Sequence, residues 1–175
     1  MIGLLVSWAH TITPVGIVIH HTGPLTNGDP VTLPLLEEFH KERGFGAFYY
    51  GHVYHVGYHY VIFPDGRVIP ARPEHLRGAH AQHYNNFLGI VLVGDFSSKD
   101  NRRGQHGLQA PTEAQLASLV LLCRRLEKRY GISLHHVRAH RELSPTLCPG
   151  DRFPWDEFLS RLQVNPYQPH CPPLK

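Results

Sequence analysis

Cysteine is scarce in this chain. Three occur in 175 residues, at Cys123, Cys148 and Cys171. That is too few for a disulfide framework, and the odd number leaves at least one free thiol or ligand. Charge is scarce too: 18% of residues are Asp, Glu, Lys or Arg, and the formal net charge is +3. No Lys/Arg run stands out, which argues against a nucleic-acid surface. Long apolar runs are missing. The patch at residues 2–9 is far short of the ~20 residues that a spanning helix needs, and it lacks the cationic start of a secretory signal. The expectation is a chain with no membrane span that stays in the cytosol or leaves by another route.

Histidine is what the chain has in excess, with 15 residues. It is the commonest metal ligand and the side chain that charges near physiological pH. Below about pH 6.5 the surface becomes more cationic, which suits an anionic polymer such as a cell wall or nucleic acid. With 42% hydrophobic residues the chain reads as one globular domain with a single core.

Elements alternate along the chain. Residues 16–20 read as a short buried strand between Pro14 and Gly23-Pro24. Thr32 caps a helix with Pro34 in its first turn and Gly44 as its stop, placing Leu35, Leu36, Phe39 and His40 on one face. The segment "FGAFYYGHVYHVG" has no clean period and reads as a loop or irregular hairpin. Residues 58–63, a "PDG" turn and "RVIPA" read as strand, turn and strand. "GIVLVGDF" is a near-continuous apolar run, typical of a strand covered on both faces. The clearest helix follows Pro111: Thr112 and Gln115 form a capping box. Leu116, Leu119, Val120, Cys123, Leu126 and Tyr130 recur at helical spacing, and Gly131 ends it. "HHVRAH" adds an extended piece and residues 154–162 a last helix. The order predicts a single α/β domain, a central mixed sheet with helices on both faces. The Pro-rich tail, residues 164–175, reads as an irregular wrap or disorder. Cys171 lies there, with Cys123 on the apolar helix face a poor bridging partner.

Two stretches can carry chemistry. "GIVIHHTGP" ends a strand in His20 and His21, and "AHRELSPTLCPG" places His140 and Cys148 eight positions apart across a Ser-Pro turn. Imidazole and thiolate are zinc ligands, and three protein ligands with an open fourth position make a catalytic site. Taken singly, a strand-end histidine is more often hydrogen-bonded structure and a lone cysteine a small buried hydrophobe. His52, His55, His59, His80 and His83 are further histidines within possible reach of a metal.

The stretches "IVIHHT", "FHKERG", "VGYHYVIFPDGRV", "GAHAQHYNNFLGIVLVGDF", "PTEAQL" and "RAHRELSPTLCPG" together resemble the type 2 N-acetylmuramoyl-L-alanine amidases. That family includes peptidoglycan recognition proteins and amidase-type phage lysozymes. The resemblance implies a domain over residues 15–163, after an extension at 1–14, with a zinc site in a surface groove. It implies His20, His140 and Cys148 as zinc ligands, Tyr58 and Thr146 as active-site residues, and hydrolysis of the amide joining N-acetylmuramic acid to L-alanine. The implied partner is peptidoglycan or a muropeptide, met by a monomer acting on the cell wall, cytoplasmic before release, or extracellular or periplasmic. A non-hydrolytic peptidoglycan-binding module of the same fold is the alternative; the retained cysteine favours the enzyme. Residues 45–56 are longer than the family's usual connection. Adjacent strand residues point to opposite faces, so His21 is expected to pack or hydrogen-bond away from the metal.

Overall fold

The structure, a computed structural model, describes residues 11–164. The apolar patch at 2–9 and the tail with Cys171 lie outside the described residues. Five strands form the main sheet: β1 (Ile17–His21), β4 (Tyr60–Ile62), β5 (Val68–Pro70), β6 (Leu88–Leu92) and β7 (Val137–Ala139). Their order is β5-β4-β6-β1-β7. β1 runs parallel to β6 and β7, β4 is parallel to β6, and only β5 is antiparallel, so the sheet is mixed. All residues of β1 and β6 are buried, as expected of strands covered on both faces.

Helices α2 (Glu113–Tyr130) and α3 (Trp155–Gln163) cover one face. There Ile17, Ile19, Ile62, Leu88, Ile90 and Leu92 meet Leu119, Cys123, Leu126 and Phe158. The capping box forms, with Gly131 left-handed at the helix end. Gln115 does more: its Nε2 donates to the carbonyls of Ile62 and Val93, tying the start of α2 to the ends of two strands.

Helix α1 (Leu33–Glu42), capped by Thr32, covers the other face. Leu36 joins Val61, Phe63, Val91 and Val93 in a smaller cluster. The predicted four-residue face is narrower than expected. Leu36 and His40 are buried, whereas Leu35 and Phe39 are 40% and 38% exposed. Neighbours on a helix lie about 100° apart, and this contact admits a single i, i+4 line.

The insertion forms a separate hairpin, β2 (Ala47–Tyr49) and β3 (His52–Tyr54), closed by Tyr50 and Gly51 at positive φ. Near the C-terminus, His135 and His136 belong to a 3-10 turn rather than to the expected extended piece, because Ser133 accepts the His136 N–H. Among the described residues, no helix is long and apolar enough to cross a membrane.

Candidate metal centre

Strand alternation puts Ile17, Ile19 and His21 toward α2 and His20 toward α1. Ile19 pairs with Ala139 across β1 and β7, so His140 leaves its strand directly beside His20. Their ring centroids are 4.5 Å apart. The following loop turns back on itself. The Arg141 N–H donates to the Cys148 carbonyl at 2.7 Å, and its guanidinium donates to the Gly150 carbonyl at 2.9 Å. Cys148 is thereby returned to β1, with Sγ 3.6 Å from His20 Nδ1. Gly150 is required at the crossing: a Cβ there would lie 2.4 Å from Phe96 backbone atoms.

The structure brings His20, His140 and Cys148 together, with one ligand atom from each within 4.8 Å of the others. Among the described residues this is the one metal-capable group of three or more. Tetrahedral zinc, with bonds of about 2.05 Å to nitrogen and 2.3 Å to sulfur, separates those ligands by about 3.6 Å. The His20–Cys148 spacing of 3.6 Å fits that geometry.

The electrostatics fit as well. Burial, reinforced by His80, His140 and His21, holds His20 well below the ordinary imidazole range, and burial lowers His140. Both stay neutral and keep a lone pair for a cation. Burial pushes the Cys148 thiol up to about 12, opposed by the His21 N–H and Arg141. The His21 N–H donates to Sγ at 3.4 Å. A buried thiol with this donor, next to two neutral imidazoles, becomes a thiolate when a cation supplies the missing charge.

His21 faces away from the cluster. Its Nδ1 accepts the Phe96 N–H at 3.0 Å and its ring lies against Phe96. Tyr58 sits just ahead of β4, which begins two residues later than predicted. Its ring lies 5.0 Å from His20 and 5.3 Å from His40. His40, from α1, accepts the Gly57 N–H at 3.1 Å and so fixes the chain next to Tyr58. Burial and the nearby Cys148 raise the Tyr58 phenol above its ordinary range. Thr146 Oγ1 accepts the Cys148 N–H at 3.2 Å.

The N-acetylmuramoyl-L-alanine amidase family profile matches residues 10–151. The chain belongs to that family. It is 37% identical over 115 residues to an endolysin of Escherichia phage T7, covering 65% of this chain and 66%, just under two thirds, of that protein. It is 30% identical over 139 residues to a peptidoglycan-recognition protein of Drosophila melanogaster, covering 77% of this chain and 67% of that one. Among solved structures it is similar to the N-acetylmuramoyl-L-alanine amidase LysC from Clostridium intestinale. There the TM-score is 0.72 at 30% identity, with 91% of this chain and 94% of that one covered.

Within this amidase-family chain, the surplus histidines fall into place. His59 is buried, donating to Leu76 O and accepting from Gly89 N–H. His55 Nδ1 bonds Phe45 O. His52 is exposed and His83 lies at positive φ. His80 is the exception that sequence alone does not single out: its Nδ1 lies 3.0 Å from His20 Nε2. The sequence places His80 in the family-like stretch at residues 78–96, with Gly78 and Gly89 on either side, but nothing there sets it apart from its neighbours. A separate apolar cavity of about 670 Å³, walled by Val31, Leu33, Phe63, Ile69, Val93 and Leu108, contains none of the five predicted site residues.

Proposed function

We propose that this protein is a zinc-dependent amidase that cleaves the bond between N-acetylmuramic acid and the L-alanine of the peptidoglycan stem peptide. The observation that carries this reading is the convergence of His20, His140 and Cys148, with one ligand atom from each within 4.8 Å of the others and the His20–Cys148 pair at 3.6 Å. Family membership and the endolysin relatives support the reaction class. A binding module on the same fold is the rival, and the retained Cys148 favours hydrolysis.

Zinc, when bound, supplies a Lewis acid that polarises a carbonyl and lowers the pKa of water. The chain's own residues do the rest. His20 and His140 offer neutral lone pairs, and the His21 N–H stabilises the Cys148 thiolate. Tyr58 keeps its proton, so it acts as a donor to the oxyanion that develops as water attacks the lactyl carbonyl. Thr146 spends an oxygen lone pair on the Cys148 N–H, which leaves its hydroxyl proton for substrate. His140 and Thr146 are half-buried while His20 and Cys148 are covered, so the cluster opens on one side, where a scissile amide can approach.

The test is product analysis by mass spectrometry after incubation with intact sacculi and with purified muropeptides. Expected products are lactyl-terminated glycan and free L-alanine-linked stem peptides, lost with chelator and restored by zinc. Cys148→Ser is expected to lose both bound zinc and cleavage. Undiminished cleavage by that variant would overturn the metal assignment, and retention of muropeptide without cleavage by the wild-type chain would establish the binding module.

A further inference from the structure

His20 must present a bare Nδ1 toward Cys148 and a bound ion, and a neutral imidazole does so only when its proton sits on Nε2. Nothing intrinsic to histidine guarantees that tautomer. The hydrogen bonds behind His20 decide it. The Phe87 carbonyl lies 3.0 Å from His80 Nε2. A carbonyl can only accept, so His80 carries its proton on Nε2. In a neutral ring Nδ1 is then an acceptor, and it lies 3.0 Å from His20 Nε2. The donor there must be His20 Nε2–H, which leaves His20 Nδ1 bare on the side of Cys148 Sγ.

The His80 ring is held where this chain of bonds needs it. Its backbone N–H and that of Ala81 both donate to Asn85 Oδ1, at 2.9 and 3.0 Å. The ring lies over two glycines: a Cβ on Gly78 or Gly89 would fall 2.5 Å from His80 Cδ2. Gly89 pairs with Val18 in the β1–β6 ladder, two residues from His20. The strand pairing that places His20 therefore also places the floor under His80. Both His80 nitrogens are engaged, so it is not itself free to ligate.

We propose that His80 is a positioning residue that locks His20 in the Nε2–H tautomer and so directs Nδ1 to the metal, with the Phe87 carbonyl as the fixed end of the relay. The inference rests on the zinc reading of the His20, His140 and Cys148 cluster. Partners of this kind orient ligand imidazoles, and their removal typically costs 10–100-fold in metal affinity.

Two substitutions separate positioning from packing. In His80→Asn, Oδ1 stands at the branch position of Nδ1 and keeps the acceptor for His20. In His80→Gln, the terminal amide reaches toward Phe87 and keeps the donor there, but the acceptor is gone. Zinc affinity is read by competition with a chromophoric chelator. The His20 tautomer is read in the metal-free protein from long-range proton–nitrogen NMR correlations. His80→Gln is expected to bind zinc about 10–100-fold more weakly and to lose the single Nε2–H tautomer. His80→Asn is expected to keep that tautomer and stay within about threefold of wild type. Wild-type affinity in both variants, or loss in His80→Asn with retention in His80→Gln, would overturn the proposal, as would a wild-type His20 that carries its proton on Nδ1. If the wild-type chain binds no zinc, the zinc reading fails. The metal-free tautomer measurement still judges the relay by itself.

Discussion

Tyr58 lies between imidazoles, 5.0 Å from His20 and 5.3 Å from His40 by ring centroids. Its phenol is raised by burial first and by Cys148 second, so near neutral pH it cannot serve as a base. In the proposed reaction its value is a proton held in place. Loss of one donor aimed at a developing oxyanion typically lowers kcat by about 10²–10³. Tyr58→Phe removes that donor while keeping the ring that packs on His20 and His40. The expected result is a kcat reduced by about 10²–10³ with KM, zinc content and the unfolding midpoint little changed. Full kcat in Tyr58→Phe would remove Tyr58 from the chemistry, and a parallel loss of zinc would make its role structural. On the zinc reading, Cys148, His20 and His140 belong to a different class, since removing any of them would also remove the ion.

Elements differ in how far local residues declare them. Helix α2 is legible because Thr112, Gln115 and Gly131 act within one turn of themselves, and its apolar period survives in the core. β1 and β6 are legible because strands covered on both faces need continuous apolar residues. The width of the α1 contact is not legible, because the sheet it meets is built from distant residues. The metal cluster follows from motif spacing and family resemblance, but the His80 relay does not. It depends on the β1–β6 register and on a carbonyl at Phe87, neither of which has a local signature.

The hairpin β2–β3 shows a similar dependence on a distant residue. Arg72 is buried, and its guanidinium donates to the carbonyls of Val56, Arg77 and Tyr54 at 2.9, 2.8 and 3.1 Å. Burial lowers it to about 10, so it remains charged at pH 7. One planar fork thus fastens the insertion to the wall that carries Tyr58. A lysine, with a single ammonium centre, cannot reproduce that fork. Arg72→Lys is expected to cost about 2 kcal/mol, as unsatisfied buried carbonyls do, and to speed hydrogen exchange in residues 45–56. Unchanged exchange there would show that the hairpin is held by other contacts.

At the scale of the molecule, the two sheet faces divide the work. The α2–α3 side holds the larger apolar cluster, and the α1 side holds the smaller cluster together with His20 and His40. A consequence of putting histidines in the interior is acid sensitivity. His59 is fully buried, with both nitrogens bonded to backbone, and burial lowers it to about 4. His40 is likewise lowered to about 4 by burial, with Arg43 and Arg72 adding to it. In the unfolded chain both titrate near 6.5. Between those values the unfolded state holds more protons than the folded one, so stability rises with pH across the interval and is lost as pH falls through it. His59 alone accounts for on the order of 3 kcal/mol. Carboxylates held low, such as Asp65 and Asp151, act in the same direction but only below about pH 4. The measurement is guanidinium unfolding of the metal-free protein, kept in chelator, at pH 7.5, 5.5 and 4.5. Midpoints are expected to be flat above about pH 7 and to fall steadily below 6.5, with His59→Gln showing a shallower decline than wild type. Equal midpoints at pH 7.5 and 4.5 would mean that the interior histidines accept protons without unfolding the chain.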